Sequence, residues 1–315
     1  MPSPSPGGGE QCLDAQLRAA RGTDPLRPAV GPLRVATSWD SEADAVLFNG
    51  DCEELLRSMP DASVRLIVSS PPYNIGKSYE KKSPLGTYLA WQKQVLQECE
   101  RVLMPGGSIC WQVGNYIDKR TGEVIPLDAL FWPMLHDLGL LSRNRIVWTF
   151  EHGLHATRRF SGRHESVLWF SKGIDACFNV DPIRVAQKYP NKRYFKGPRK
   201  GELSGNPSGK NPSDVWNIPN VKHNHPEKTE HPCSFPIELA ERFVLSMSNP
   251  GDTVLDPFGG VGSTVVAAVL HGRRGVMAET DARYVEVVRE RLVRASNGTL
   301  LARPMGKPIY GSENA

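Results

Sequence analysis

Residues Thr253-Val-Leu-Asp-Pro-Phe-Gly-Gly-Val-Gly-Ser-Thr264 read as a short apolar strand, a glycine-rich turn and the start of a helix. Glycines let the backbone approach a ligand closely, and open α/β sheets bind ligands at such strand ends. The next apolar segment, 275–278, ends in Glu279, a carboxylate suited to the hydroxyls of a ribose. The stretch therefore predicts a nucleoside-cofactor site in an α/β fold.

The same stretch excludes two common phosphate-binding loops. No Gly-Lys-Ser/Thr follows, as a Walker A loop requires, and the G-x-G-x-x-G spacing of dinucleotide sites is absent. A carboxylate at Asp256 would also repel a pyrophosphate. A cofactor with a positively charged amino-acid end fits better, which predicts S-adenosyl-L-methionine.

A second motif, Ser70-Pro71-Pro72-Tyr73-Asn74, ends the apolar run that starts at Val64. Each proline lacks an N–H and fixes φ, so the strand must stop there rigidly. The turn holds a hydroxyl, a carbonyl and an aromatic ring at a strand end. On its own, it could also be a stiff turn with a packing tyrosine.

The rest of the chain alternates between helical and strand patterns. We predict helices over 52–58, 87–104, 126–138, 237–247, 264–270 and 282–294, and strands over 45–48, 64–69, 108–113, 145–150, 165–170, 253–256 and 275–278. Such alternation predicts an α/β fold with a mostly parallel sheet and helices on both faces.

Residues 176–230 interrupt this alternation with a long, Pro-, Gly- and Asn-rich segment. Between Arg184 and Lys228 there are ten Lys/Arg and three Asp/Glu, a net charge of +7, although the whole chain carries only +4. Basic residues neutralise phosphates, so this segment is predicted to bind DNA; a solvated insertion is the alternative. Candidate DNA-binding residues are Lys192, Arg193, Lys196, Arg199, Lys200 and Lys210.

Composition favours a cytoplasmic, nucleoid-associated protein. The chain has no apolar stretch long enough to span a bilayer, and its first residues lack a secretion signal. Six cysteines without a C-x-x-C pair argue against a zinc site or a disulfide framework. Residues 1–40 are predicted to be a flexible arm, and residues 297–315 a loose tail.

The two motifs, in this order, resemble the exocyclic-amino (N4-cytosine/N6-adenine) DNA methyltransferases of the permuted β class. In that family a catalytic Ser-Pro-Pro-Tyr motif comes first, a target-recognition region second and the cofactor motif last. The resemblance covers about residues 46–294. It implies a circularly permuted, Rossmann-like AdoMet-dependent methyltransferase fold, with residues 41–175 as the catalytic half, 176–230 as the target-recognition region and 231–296 as the cofactor half.

The resemblance also assigns site residues. The catalytic residues it implies are Ser70, Pro71, Pro72 and Tyr73. The cofactor-binding residues it implies are Asp51, Asp256, Phe258, Gly259, Gly260, Gly262, Ser263, Thr264 and Glu279. Glu279 is preferred to Asp281 for the ribose, and no metal is expected.

The target amino nitrogen is a poor nucleophile because its lone pair is delocalised into the base. We expect the Ser70 hydroxyl and the Pro71 carbonyl to accept its hydrogens, and Tyr73 to stack on a flipped base. Transfer is then a direct in-line displacement. In the family, serine at the first motif position tends to accompany cytosine N4, so the sequence favours N4-cytosine over N6-adenine.

Several alternatives remain open at this stage. A DNA-binding module that keeps the cofactor pocket without catalysis is one, and an RNA or protein methyltransferase is another. Pro232-Cys233 superficially resembles the nucleophile of cytosine-C5 methyltransferases, but the motif order disfavours that enzyme class. The histidines His223, His225 and His231 lack partners for a tetrahedral zinc site. Expected partners are double-stranded DNA and, as a candidate, a cognate restriction endonuclease, with the chain a monomer or homodimer.

Overall fold

A nine-stranded sheet forms the centre of the part of the molecule that the structure describes. The computed structural model describes residues 33–77, 80, 82–151, 153, 155–222 and 224–307. The strands are β1 (Val35–Ala36), β2 (Ala45–Asn49), β3 (Val64–Ser69), β4 (Leu103–Val113), β5 (Asn115–Ile117), β6 (Val124–Pro126), β7 (Leu141–Thr149), β8 (His164–Ser171), β9 (Val215–Asn217), β10 (Thr253–Asp256) and β11 (Arg274–Glu279). The helices are α1 (Cys52–Ser58), α2 (Leu85–Val102), α3 (Leu127–Asp137), α4 (Ile237–Met247), α5 (Ser263–Leu270) and α6 (Ala282–Ser296).

The strand order brings the two sequence motifs together. In the sheet order β1-β2-β11-β10-β3-β4-β8-β7-β9, the strands from β1 to β4 are parallel to one another, whereas β8 is antiparallel to both β4 and β7. Strand β10, which precedes the glycine-rich turn, pairs with β3, which precedes Ser70, through Val254↔Leu66 and Leu255↔Ile67. The predicted mixed, mostly parallel sheet is confirmed.

Helices cover both faces of this sheet, as predicted. The core on one face includes side chains of α1, α2 and α3, with Trp111 and Phe131 fully buried. The core on the other face includes side chains of α4, α5 and α6, with Phe243 fully buried. Burial of such large apolar groups is the main source of folding free energy.

Local signals fix several element ends. The Asp51 carboxylate accepts a hydrogen bond from the Glu53 N–H (2.8 Å) and caps α1. Asp281 caps α6 in the same way through the Arg283 N–H (2.9 Å). Such caps satisfy N–H groups that have no partner within the helix. The predicted bounds of α1, α4, β3 and β10 match the structure.

The start of β4 differs from the prediction. The helix was expected to run to residue 104 and the strand to begin at 108, but α2 ends at Val102 and β4 begins at Leu103. Backbone partners decide this: the Gly106 N–H donates to the Lys172 carbonyl (2.7 Å) and the Lys172 N–H to the Gly107 carbonyl (2.9 Å). The small β5–β6 hairpin, too short to carry a pattern, was not predicted.

Both predicted terminal segments contain ordered structure. Strand β1 lies inside the predicted flexible arm and pairs in parallel with β2. In the predicted loose tail, the Arg303 guanidinium forms an ion pair with buried Glu238, and its backbone N–H donates to Glu227 (3.1 Å). Residues 1–32 and 308–315 of those two predictions lie outside the described residues. Among the described helices, none is long and apolar enough to cross a membrane.

Candidate active site

A cavity of about 700 Å³ opens at the carboxyl ends of β2, β11, β10 and β3. This is the edge where open α/β sheets bind ligands, and the volume suits a small molecule. Predicted site residues that line it are Ser70, Pro71, Pro72, Tyr73, Asp51, Phe258, Gly259, Gly260, Ser263 and Glu279. The structure thus brings the two motifs into one site.

The glycine-rich turn forms one wall. Gly260 has φ +51°, and its N–H donates to the Glu279 carboxylate (2.9 Å). At Gly259 an added Cβ would lie 2.6 Å from the Met277 side chain, so the backbone packs where only glycine fits. The turn therefore presents backbone, rather than side chains, to a ligand.

Two carboxylates flank this wall. Glu279 ends β11 and Asp51 follows β2, and the Gly50 N–H donates to the Glu279 carbonyl (3.0 Å), which ties the two strand ends together. Burial raises the pKa of Glu279, while hydrogen bonds from backbone N–H groups oppose the rise. Two acidic groups beside an open glycine turn fit the ribose hydroxyls and the base amino group of a nucleoside cofactor.

Asp256 lies behind the wall and holds it together. Its carboxylate accepts hydrogen bonds from Ser69 Oγ (2.6 Å), Thr264 Oγ1 (3.0 Å) and the Phe258 N–H (3.1 Å). Burial raises its pKa to about 6. Of the predicted cofactor residues, Asp256, Gly262 and Thr264 are outside the described cavity lining, so they support the turn.

A hydrogen-bonded chain links the Ser70–Asn74 turn to Glu165. Ser70 Oγ lies 3.1 Å from Tyr73 Oη, which donates to Glu165 Oε2 (3.2 Å). The single hydrogen of the Tyr73 hydroxyl is donated to Glu165, so the Ser70 hydroxyl is the donor in its contact with Tyr73. The serine oxygen keeps lone pairs available on the side of the cavity.

Gln112 braces this chain from β4. Its Nε2 donates to Tyr73 Oη (3.0 Å) and to Glu165. Burial raises the pKa of Glu165, and the hydrogen bonds from Tyr73 and Gln112 oppose that rise. A Cβ added at Gly114 would lie 3.1 Å from the Tyr73 ring, so the ring rests on glycine backbone.

A loop carboxylate orders the backbone after the motif. Glu80 accepts hydrogen bonds from the N–H groups of Asn74 (2.7 Å), Ile75 (2.7 Å) and Lys77 (3.1 Å). Asn74 adopts φ +57° and bonds through its side chain to the backbone of Ser83. These contacts fix the direction in which the Ser70–Asn74 turn leaves the sheet.

Sequence reasoning missed several cavity residues. The lining also contains Glu80, Tyr88, Trp91, Gln112, Trp148, Phe150 and Glu165. Glu165 sits on β8 opposite Trp148. A charged residue at the first position of an apolar strand was the available signal, but nothing nearby in sequence ties it to Ser70.

His231 packs beside the cofactor wall. Its ring lies 4.7 Å from the Tyr284 ring, and burial lowers its pKa to about 4, so it is neutral at pH 7. Its Nδ1 accepts from the Cys233 N–H (3.2 Å). His223 lies outside the described residues, among which no group of three or more His, Cys, Asp or Glu could hold a metal ion.

The predicted DNA-binding residues lie apart from the cavity. All six are exposed, on turns of the 176–230 segment that are held by the short bridges Val185↔Lys210 and Arg193↔Leu203. Arg199 forms an exposed ion pair with Glu202 (2.9 Å). The structure thus places basic charge on the surface and the two motifs inside.

Comparison with known proteins agrees with this geometry. Residues 64–290 match the N6_N4_Mtase family, described as DNA methylase. The type II methyltransferase M.BglII of Bacillus subtilis is 49% identical over 256 residues, which cover 81% of this chain and 71% of that protein. The DNA adenine methyltransferase YhdJ of Escherichia coli K12 is 33% identical over 83% of this chain and 86% of that protein.

Solved structures share the fold. The cytosine-N4-specific PvuII DNA methyltransferase superposes with a TM-score of 0.63 at 21% identity, covering 86% of this chain and 96% of that one. TTHA0409 of Thermus thermophilus, solved with S-adenosyl-L-methionine, has a TM-score of 0.57 at 30% identity, covering 83% and 98%. The predicted Rossmann-like methyltransferase fold and the predicted cofactor, S-adenosyl-L-methionine, are confirmed. The chain belongs to the family of exocyclic-amino (N6/N4) DNA methyltransferases.

Proposed function

We propose that this chain methylates the exocyclic N4 amino group of cytosine in duplex DNA. The observation that carries the proposal is the Ser70 hydroxyl, whose hydrogen is directed to Tyr73 and whose oxygen borders the cavity. An amino group placed there meets an acceptor, as cytosine N4 requires. Serine at this motif position is what favours N4 over adenine N6.

The chemistry of the amino group defines what the residues must do. The Ser70 oxygen and the Pro71 carbonyl accept its two hydrogens, which leaves the nitrogen lone pair free to point at the methyl group. The bound cofactor supplies an electrophilic methyl group. Positioning and electrostatics then lower the barrier, without a covalent enzyme intermediate.

The same hydrogen-bonded chain offers a route for the proton that the amino group must lose. The nitrogen passes a proton to Ser70, Ser70 passes its own to Tyr73, and Tyr73 passes its own to Glu165, which becomes a neutral acid. The raised pKa of Glu165 suits an acceptor of this kind.

Target recognition is assigned to residues 176–230. Their exposed lysines and arginines contact phosphates, and the target base flips out of the duplex to lie against the Tyr73 ring, because a base inside the helix cannot reach the cavity. The protein acts in the cytoplasm on nucleoid DNA, as a monomer or homodimer. A cognate restriction endonuclease is its candidate partner, since several relatives are type II methyltransferases.

Nucleoside analysis tests the proposal. Duplex DNA is treated with the protein and labelled S-adenosyl-L-methionine, digested, and its nucleosides separated, while sequencing of the same DNA reports the site. We expect label in N4-methylcytosine and its loss in Ser70→Ala. Label in N6-methyladenine contradicts the choice of base and favours the second candidate, which the similarity to YhdJ supports.

Parallel reactions separate the remaining rivals. RNA and protein substrates are offered with the same labelled cofactor. Label in either one, with none in duplex DNA, overturns DNA as the substrate. Cofactor binding without transfer to any of the three identifies a non-catalytic module.

A further inference from the structure

A hairpin loop between β7 and β8 rises from the rim of the catalytic cavity. The loop comprises residues 150–163; its first residue, Phe150, and Glu165 on β8 both line that cavity. The Phe150 N–H donates to the Arg163 carbonyl (3.0 Å), which extends the strand pairing into the loop. The tip therefore stands on a framework that is fixed to the active site.

The tip of this loop, residues 157–160, is exposed to solvent. The Ala156 N–H donates to Ser161 Oγ (3.1 Å) and closes the loop below residues 157–160. All four tip residues are exposed, and the last of them, Phe160, is 99% exposed. A phenylalanine in this position contributes no burial to the fold, so the tip is suited to an external apolar partner.

Charge identifies the chemistry of that partner. Arg158 and Arg159 immediately precede Phe160, and in the described part of the chain neither guanidinium has an ion-pair partner. A surface that presents apolar planes between rows of negative charge matches this tip. Duplex DNA offers this surface where a base leaves the stack, since the faces of the neighbouring bases are then exposed between two phosphate backbones.

We propose that Phe160 is a wedge that enters the base stack of the duplex as the target base leaves it, while Arg158 and Arg159 contact the flanking phosphates. The inference rests on the proposed DNA methylation. Extruding a base unstacks its neighbours, and an inserted apolar side chain replaces the lost stacking. Because both strands that carry this loop contribute residues to the cavity, the loop leaves the sheet at the rim of the cavity that receives the base.

Phe195 is the rival wedge, since it is 90% exposed and lies between Tyr194 and Lys196. Neither phenylalanine lines the cavity, but Phe195 belongs to the 192–203 turn, whereas the loop of Phe160 joins two strands, β7 and β8, that each contribute a lining residue, Trp148 and Glu165. A wedge must act where the base departs. The direct connection of the β7–β8 hairpin to the cavity favours Phe160.

The test uses single-turnover methylation of duplexes that carry the site identified by sequencing. One duplex has the target base correctly paired, and the other has it opposite an abasic position, where extrusion requires little unstacking. On the paired duplex, we expect the methylation rate of Phe160→Ala to be at least about tenfold below that of wild type. On the abasic duplex, its rate should lie within about twofold of the wild-type rate. Ile174→Ala, which removes an exposed side chain outside the site, is the matched control and should leave both rates unchanged.

Binding measurements separate the arginines from the wedge. Arg158→Ala and Arg159→Ala should each reduce the slope of log affinity against log salt by about one, while Phe160→Ala leaves the slope unchanged. A Phe160→Ala protein with wild-type rate on the paired duplex overturns the inference. The inference is also wrong if Phe160→Ala is slowed equally on both duplexes. It is wrong as well if Phe195→Ala, rather than Phe160→Ala, is slow on the paired duplex and recovers on the abasic one. A wild-type protein that methylates no duplex refutes the proposed function itself.

Discussion

Glu165 sets the direction of hydrogen bonding at the Ser70–Asn74 turn. If its carboxylate becomes an amide, the side chain can donate to Tyr73, and the serine hydrogen no longer has a single defined acceptor. We expect Glu165→Gln to lower the single-turnover rate by about 10²-fold, the usual scale for losing a proton acceptor, while the dissociation constant for S-adenosyl-L-methionine stays within about twofold. Rapid-quench kinetics and calorimetry measure the two quantities.

The pH dependence of the methylation rate provides a second test of Glu165. Burial raises the pKa of Glu165, so its protonation should reduce the wild-type rate at a higher pH than an ordinary glutamate would. The acidic fall in rate should disappear in Glu165→Gln. Glu123→Gln, at an exposed position outside the cavity, serves as the control. An unchanged rate in Glu165→Gln removes the residue from the mechanism.

His231 predicts a different pH effect, on stability. Its folded pKa of about 4 lies below its ordinary value of 6.5. Between these values the unfolded chain binds the proton and the folded protein does not, so stability falls as pH decreases from 6.5 to 4. As pH decreases over this range, we expect the free energy of unfolding of His231→Gln to fall by about 2 kcal/mol less than that of the wild type. This figure allows for the partial exposure of His231.

Urea unfolding at pH 7 and pH 4.5 measures this difference. His136→Gln, at an exposed position on α3, is the control. The prediction is wrong if His231→Gln and the wild type lose the same free energy between the two pH values.

Ser70 and Tyr73 could be predicted from sequence, whereas Glu165 could not. The motif residues are adjacent in the chain, and two prolines fix their turn whatever surrounds it. Glu165 reaches Tyr73 only through the register of β8, which places it opposite Trp148. Sheet register depends on packing partners distant in sequence, and no local pattern states it.

At the scale of elements, the turn between β10 and α5 depends on Gly262. Its φ is +75°, and a Cβ there would lie 2.6 Å from Val288 on α6. Gly122, in the β5–β6 hairpin, also has φ +75° but nothing within 4 Å. Comparing substitutions at these two glycines therefore separates the cost of the left-handed backbone from the cost of a steric clash between the turn and α6.

Gly122→Ala should therefore destabilise the protein by about 1 kcal/mol, the cost of the left-handed conformation alone. Gly262→Ala should destabilise the protein by about 1–3 kcal/mol more than Gly122→Ala does, because α6 must move away from the turn. It should also weaken binding of S-adenosyl-L-methionine, which Gly122→Ala should not. Thermal unfolding and calorimetry test both points, and equal destabilisation of the two variants refutes the collision.

Elements were predicted well where local chemistry decides their ends. The capping carboxylate of Asp51 starts α1, and the prolines after Ser70 stop β3, so both bounds follow from neighbours in sequence. The start of β4 depends on hydrogen bonds to Lys172, about 65 residues away. No pattern within 103–107 could reveal that partner.

At the scale of the whole molecule, Arg303 fastens the C-terminal coil to the fold. Its side chain is 10% exposed and pairs with Glu238, which is 2% exposed. The Gly306 N–H donates to the same carboxylate (2.8 Å). Because Glu238 lies on α4 and Glu227 lies near the end of the 176–230 segment, this coil connects to two other parts of the chain.

Arg303→Ala should cost about 3–5 kcal/mol, because it leaves a buried carboxylate without its main cation. Arg294→Ala removes an exposed pair with Glu290 (3.4 Å) and should cost about 0–1 kcal/mol. Chemical denaturation measures both. If both variants lose a similar, small amount of unfolding free energy, Arg303 does not anchor the coil to the fold.

The sheet order has a consequence for how the protein is made. Strands β2 and β3 emerge from the ribosome early, but β11 and β10, which lie between them, are synthesised some two hundred residues later. Until then the nascent chain holds two unpaired strand edges and an incomplete pocket. The two central strands must insert into a waiting gap, a slow step of high contact order that leaves those edges open to aggregation. Methylation by a partly synthesised chain is impossible, since the cofactor wall is the last piece of the sheet to arrive.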